Sequence, residues 1–206
     1  ILAKGNQYAR NVIMLAVGSY LLIYVGLIGH ENMLMSGFWY YLFLGVFEAA
    51  VIHYLIAKIA GPFLFGRGWC GYACWTAMVL DLLPYKTPQN PRKNWGYIRY
   101  VMFLVILCGV ASLFILKLSN LDSIIYYLFI AGNLTYYVVG IILAYKLKAN
   151  RAFCKYICPI TVFLKISSYF SLLRVKVDED LCVDCGKCIK SCPMDVDIPD
   201  NSRKRE

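Results

Sequence analysis

Charge is scarce in this 206-residue chain. Only 16% of its residues are Asp, Glu, Lys or Arg, against 60% hydrophobic. A soluble domain carries about a quarter charged residues, so that class is excluded, and the long apolar blocks mark a membrane protein. Histidine is scarcer still: His30 and His53 are the only two. A haem held by two histidines needs both at one depth on different helices, and these two fall at opposite membrane faces, which excludes it. Acidic residues are outnumbered 12 to 21, for a net charge of +9. In a soluble chain that excess would point to nucleic acid. In a membrane protein it reflects the crowding of Lys and Arg on the cytoplasmic side, and no nucleic-acid partner is expected. No cleavable signal peptide is visible. Cysteine is plentiful, with nine, but the spacings are those of metal ligands, which argues for a reducing compartment and against disulfides.

The apolar residues fall into four blocks, at about 12–29, 37–57, 96–116 and 123–145, each long enough to cross as a helix. Phe38, Trp39, Tyr40 and Tyr41 open the second block, as aromatics do at a membrane–water boundary. With Arg10 cytoplasmic, four crossings return the chain to the same side. Of the 21 basic residues only Lys117 then lies outside. Both termini and all motif cysteines are therefore expected on the cytoplasmic side of the cell membrane. Thr161, Lys165, Ser168, Ser171 and Arg174 recur at helical spacing in an apolar stretch, which predicts a helix lying in the interface.

Near the end comes Cys182-Val-Asp-Cys185-Gly-Lys-Cys188-Ile-Lys-Ser-Cys192-Pro193. This C-x2-C-x2-C-x3-C-P spacing is the ligand run of bacterial 4Fe-4S proteins, in which the cysteine before proline commonly serves a second cluster. A zinc site uses two separated C-x2-C pairs, which this run lacks. Gly186 permits the positive φ that a tight turn around sulfur needs.

A second pattern is an internal repeat at an offset of 84 residues. Arg67-Gly-Trp69-Cys70-Gly-Tyr72-Ala-Cys74 matches Arg151-Ala-Phe153-Cys154-Lys-Tyr156-Ile-Cys158. Each copy follows a hairpin, so the two are parallel repeats on one face. Together they offer four thiolates at the cytoplasmic membrane boundary. Arg67 and Arg151 favour thiolate over thiol. A second iron–sulfur cluster, a copper or zinc site, or a redox dithiol would each use such a set. Cys158-Pro159 and Cys192-Pro193 could instead each supply a remote ligand, sharing clusters between tail and membrane.

The order of two hairpins, a repeated R-x-aromatic-C-x3-C, and then C-x2-C-x2-C-x3-C-P resembles the NapH/MauN-type family of membrane ferredoxin-type proteins. It is similar also to the membrane cores of NosR and CcoG. The resemblance implies an all-α membrane protein that transfers electrons through 4Fe-4S clusters, coupled to quinol oxidation, respiratory reductases or metal-centre maturation. It implies cluster ligands at Cys182, Cys185, Cys188 and Cys192, with Cys70, Cys74, Cys154 and Cys158 as the paired motif. Trp75 departs from the pattern, which has proline there, and a second C-x2-C-x2-C-x3-C-P run is missing. The charged ending Asp200–Glu206 looks like the linker before it, so truncation is expected.

The expected organisation is a four-helix membrane domain over 1–175, built as two parallel-repeat hairpins with interfacial helices, and a small ferredoxin-like segment over 176–206. Glu48 falls near the middle of the second crossing, where a carboxyl is costly and usually has a use. With His53 on the same helix it is a candidate quinone or proton site, the alternative being a glutamate bonded to Asn133 or Thr135. The expected function is electron transfer between a quinone pool or cytoplasmic donor and a partner redox protein. A copper or metal-ion reductase using the C-x3-C pairs, and a membrane anchor for a redox complex, are the other classes the residues admit.

Overall fold

The computed structural model describes residues 7–90, 93–116, 120–173, 175–178, 180–194 and 196–200. Lys117, Arg174 and the charged ending 201–206, which the sequence reading used, lie outside the described residues. The described chain is all-helical. Three helices are long and apolar enough to cross a membrane: Ala9–Ile28 (α1, Gln7–Ser19, continued by a π-helical stretch Tyr20–Ile28), α7 (Ile98–Ile115) and α8 (Leu121–Leu147). At 1.5 Å per residue they reach about 27–40 Å, which matches a hydrocarbon core of about 30 Å. Only 17%, 11% and 28% of these spans is buried within the protein. Val12, Tyr24, Leu104, Val105, Leu134 and Val138 face outward, while Asn32, Asn133 and Arg151 are buried. Apolar outside and polar inside is the arrangement that lipid demands.

The second apolar block is not the single straight helix expected over 37–57. α2 (Met35–Leu44) stops at Gly45, whose φ of 72° is open to glycine at little cost. The chain turns by 116° and restarts as Ala49–Phe65 (α3, Ala49–His53; a π-helical stretch, Tyr54–Ala60; α4, Gly61–Phe65). Glu31 Oε2 accepts from the Ala50 N–H at 3.2 Å. The new limb therefore begins level with the end of α1 and runs about 25 Å back along the bundle. α2 lies at this end, where Tyr40 Oη donates to Asp122 Oδ1 at 2.6 Å and Asn32 Nδ2 to the Ile125 carbonyl at 2.9 Å. Glu48, expected at mid-crossing, sits exposed at this corner as the residue before α3. Neither alternative partner is its own: Asn133 bonds Trp75 and the Phe129 carbonyl, and Thr135 the Ala131 carbonyl.

The other end of the bundle holds the start of α1, the linker after residue 81 and the turn at 148–151. Asn150 fastens that turn to the linker through Tyr85 N (2.9 Å) and the Leu83 carbonyl (2.6 Å). From this end each cysteine repeat dips into the bundle. After α5 (Gly68–Tyr72), α6 (Trp75–Leu80) packs on α1 and α8. A Cβ on Gly18 would stand 3.2 Å from Trp75 Cα, and one on Gly140 2.9 Å from Leu80. Trp75 Nε1 donates to Asn133 Oδ1 at 2.8 Å. Gly18 and Asn133 lie near the midpoints of their helices, so Trp75 is at mid-height.

The second repeat does the same with α9 (Ala152–Tyr156) and α10 (Thr161–Tyr169). Phe163 on α10 reaches α2, 5.8 Å from the Phe38 ring and 6.0 Å from that of Trp39. Of the polar stripe expected here, Thr161 and Ser171 are buried, Ser168 is half-buried and Lys165 is exposed, as are the apolar Ile166, Phe170 and Leu172. The tail follows, with a short helix α11 (Lys187–Ser191) that starts after Gly186 at φ 67°.

Candidate metal centre

The two dipping segments bring four cysteines from opposite halves of the chain to one place. Cys74 is extended (φ −100°, ψ 117°) immediately before α6, and Cys70 lies in α5. Cys154 lies in α9, and the Cys158 carbonyl accepts from Thr161 Oγ1. Cys158 is within electrostatic reach of Cys154, Cys74 and Cys70, and Cys154 of Cys74 and Cys70. Tyr54 is within electrostatic reach of Cys158 and Cys74, Tyr136 of Cys158, and Tyr137 of Cys74. Those tyrosines lie well inside their helices. Cys74 directly precedes Trp75, which bonds Asn133 at mid-height, so this cysteine lies deeper than the membrane boundary that the sequence pattern implied.

Burial dominates the local electrostatics. It pushes the Cys154 thiol up to about 12, although Arg151 beside it pulls the other way. Burial also raises Cys70, against the opposing pull of Lys58, Arg151 and Arg67. Burial raises Cys158 as well, so thiols of this kind become thiolates most readily beside a bound cationic group.

Arg151 is 5% exposed. It donates to Asp81 Oδ2 at 2.6 Å and to the Cys70 carbonyl at 3.2 Å, and Arg10 donates to the same Asp81 oxygen at 3.0 Å. Arg67, its partner in the repeat, is exposed and acts on Cys70 through its charge.

Three buried polar atoms near the thiols have no hydrogen-bond partner: His53 Nε2, Tyr54 Oη and Tyr137 Oη. Buried polar groups are nearly always satisfied, and Tyr54 and Tyr137 both lie within electrostatic reach of Cys74, so an added acceptor beside that thiol would meet both hydroxyls. A sulfur-rich anionic cluster with four thiolate ligands fits that donor set. Among the described residues no three His, Cys, Asp or Glu side chains stand close enough to share one metal ion.

In the tail, Cys185 and Cys188 are exposed and Cys182 and Cys192 partly buried, on a turn with positive φ at Asp184 (48°) and Gly186 (67°). The donor set again fits a 4Fe-4S cluster in kind and number. His53 lies beside the thiol centre, its ring 6.3 Å from Trp75, while Glu48 is far off at the opposite end with Glu31. The structure thus separates two residues that the sequence paired. Cys108 is exposed on α7.

Two residues escaped the sequence reading. Asp81 is the shared partner of two arginines, a long-range pairing with no sequence signal. Lys58 is 1% exposed and acts on both Cys70 and His53. It had a signal, since a lone lysine in Ile56-Ala-Lys58-Ile-Ala60 stands within an apolar run.

One 4Fe-4S binding domain family, Fer4_5, matches residues 50–94 and again 135–177, so both cysteine repeats carry it. A second 4Fe-4S binding domain, Fer4_6, matches residues 174–196. An uncharacterized protein of Methanocaldococcus jannaschii is 28% identical over 77% of this chain. A protein of Escherichia coli named as an electron transport protein, YccM, is 31% identical over 32% of it. The methylamine utilization ferredoxin-type protein MauN of Paracoccus denitrificans is 39% identical over 22%. The matched regions span 63%, 19% and 16% of those relatives' own lengths. No solved structure matches the chain. Its apolar helices mark a multi-pass membrane protein, and the domain matches support at least one bound 4Fe-4S cluster. Its three 4Fe-4S domain matches and these relatives support the resemblance to the NapH/MauN-type family of membrane ferredoxin-type proteins.

Proposed function

We propose that this chain carries electrons between two thiolate-held centres and so links a quinone pool or cytoplasmic donor to a partner redox protein. One centre is a 4Fe-4S cluster held by Cys182, Cys185, Cys188 and Cys192 in the tail segment 176–206. The other is held by Cys70, Cys74, Cys154 and Cys158 within the membrane domain 1–175. The observation that carries this reading is the convergence of four cysteines and three unpartnered polar groups inside an otherwise apolar bundle.

Bound clusters supply one-electron exchange at a potential that charge, hydrogen bonds and exposure set. The protein does the rest. Arg151, Lys58 and the more distant Arg67 offset the charge of four thiolates. Trp75, Phe153 and Leu164, all nearly fully buried, exclude water. With the basic end cytoplasmic and the bent pair counted as the fourth crossing, Tyr137 lies about 15 Å from the α8 end nearest the tail. The inner centre then covers much of the membrane thickness for the electron. Oxidation of a quinol to a quinone releases two electrons and two protons. Glu48, beside Glu31 at the far end, is placed to take up the protons, and His53 stands next to the inner centre.

Iron and sulfide counting with EPR on anaerobically purified protein tests the reading. Changing Cys70 and Cys154 to Ser should remove about half of the iron, and changing Cys182 and Cys185 the other half. Full iron retention in the Cys70/Cys154 variant would overturn the inner centre. Copper held by the wild type and lost in that variant would point instead to a metal-ion reductase.

A further inference from the structure

We infer that the hydroxyls of Tyr54 and Tyr137 donate hydrogen bonds to sulfur of the inner centre and, with the ammonium of Lys58, hold its reduction potential up. This rests on the reading that Cys70, Cys74, Cys154 and Cys158 ligate a cluster.

The argument begins with unmet valence. Tyr54 is fully buried and Tyr137 half-buried, and neither phenolic oxygen has a hydrogen-bond partner. They approach from different helices. Tyr54 opens the π-helical stretch Tyr54–Ala60, a backbone irregularity that recurs at functional sites. Tyr137 lies mid-way along α8. Tyr54 stacks on Phe38 with ring centroids 4.9 Å apart, which fixes the direction of its hydroxyl. What the two hydroxyls share is the neighbourhood of cysteine sulfur: Tyr54 is within electrostatic reach of Cys74 and Cys158, and Tyr137 of Cys74, and both rings belong to the apolar core that also holds Cys70 and Cys158. A phenol O–H is a donor, and thiolate sulfur is a strong acceptor once it carries charge. Lys58 follows Tyr54 by four residues on the same limb, is 1% exposed and acts on Cys70. Two neutral donors and one buried cation are thus within electrostatic reach of a group whose negative charge grows by one on reduction. Each favours the reduced form, as groups around a metal site tune its potential.

The test is an EPR-monitored redox titration of the full-length cluster-loaded protein, using dithionite as reductant, with iron and sulfide assayed on every sample. In Tyr54→Phe and Tyr137→Phe, iron should stay at the wild-type level. The equilibrium constant for reduction of the inner centre should fall about tenfold for each hydroxyl, or about 59 mV for one electron. The signal of the tail cluster should not move. Lys58→Met should lower the inner potential, and Lys58→Arg should restore most of it. Should Tyr54→Phe disturb assembly, 3-fluorotyrosine gives an isosteric check: a more acidic phenol donates more strongly and should raise the potential. Unchanged potentials in both Phe variants with iron retained would overturn the inference and leave the cluster reading intact. Full iron in the Cys70/Cys154 variant would overturn both.

Discussion

Arg67 and Arg151 hold equivalent places in the sequence repeat, yet only Arg151 is buried, in the Asp81–Arg10 network. A buried charge is kept by its partners, and removing one leaves the rest uncompensated, at a cost of about 3–5 kcal/mol. Arg151→Met should therefore cost several kcal/mol, moderated by Arg10, and lower the thermal midpoint in detergent. Arg67→Met, at an exposed side chain, should leave that midpoint within about a degree, since surface substitutions cost within about 0.5 kcal/mol. Equal losses in the two variants would show that the repeat is symmetric in energy as well as in sequence. A hydropathy pattern cannot separate the two arginines, because Asp81 finds Arg151 only through folding across 70 residues.

At the scale of elements, small residues decide how deep the short helices go. Gly18 and Gly140 clear the surfaces of α1 and α8 on which α6 lies. Gly18→Leu would drive a side chain into the Trp75 backbone and Met78. Overpacking of this kind costs about 1–3 kcal/mol, and here it should lift Cys74 away from Cys158. The expected result is loss of iron from the inner centre while tail iron remains, read by EPR and iron assay. Undisturbed inner iron would mean that α6 need not lie so close. The repeat at offset 84, the three long spans and the tail motif were all legible in the sequence, because each is local in the chain. The break at Gly45 and the inward face of α10 were not. Phe38–Leu44 and Ala49–Ala57 read as one apolar run, and a stripe of Thr and Ser looks the same whether it faces water or a buried site.

For the molecule as a whole, the consequence is depth. Cysteines read from sequence as lying at one membrane boundary are set inside the bundle, with acidic residues and Tyr40 at one end and the arginine network at the other. In metal-free protein, a membrane-impermeant maleimide should label Cys185 and Cys188. It should spare Cys70, Cys154 and Cys158 until the protein is denatured. With the tail cytoplasmic, labelling should occur in inside-out vesicles and not in right-side-out ones; the reverse pattern would invert the orientation drawn from the basic residues.

The amino-acid sequence by itself determined that this is an all-helical membrane protein, that its cysteines come as two matched pairs and one ferredoxin run, and that 4Fe-4S binding is the chemistry those spacings carry. Those properties depend on composition and on spacings of a few residues. Only the tertiary structure decided that the two pairs share one interior site, that Tyr54, Tyr137 and Lys58 surround it, and that Glu48 does not belong to it. Each of these is a contact between segments distant in the chain, set by glycine clearances and buried polar pairing that no local pattern records.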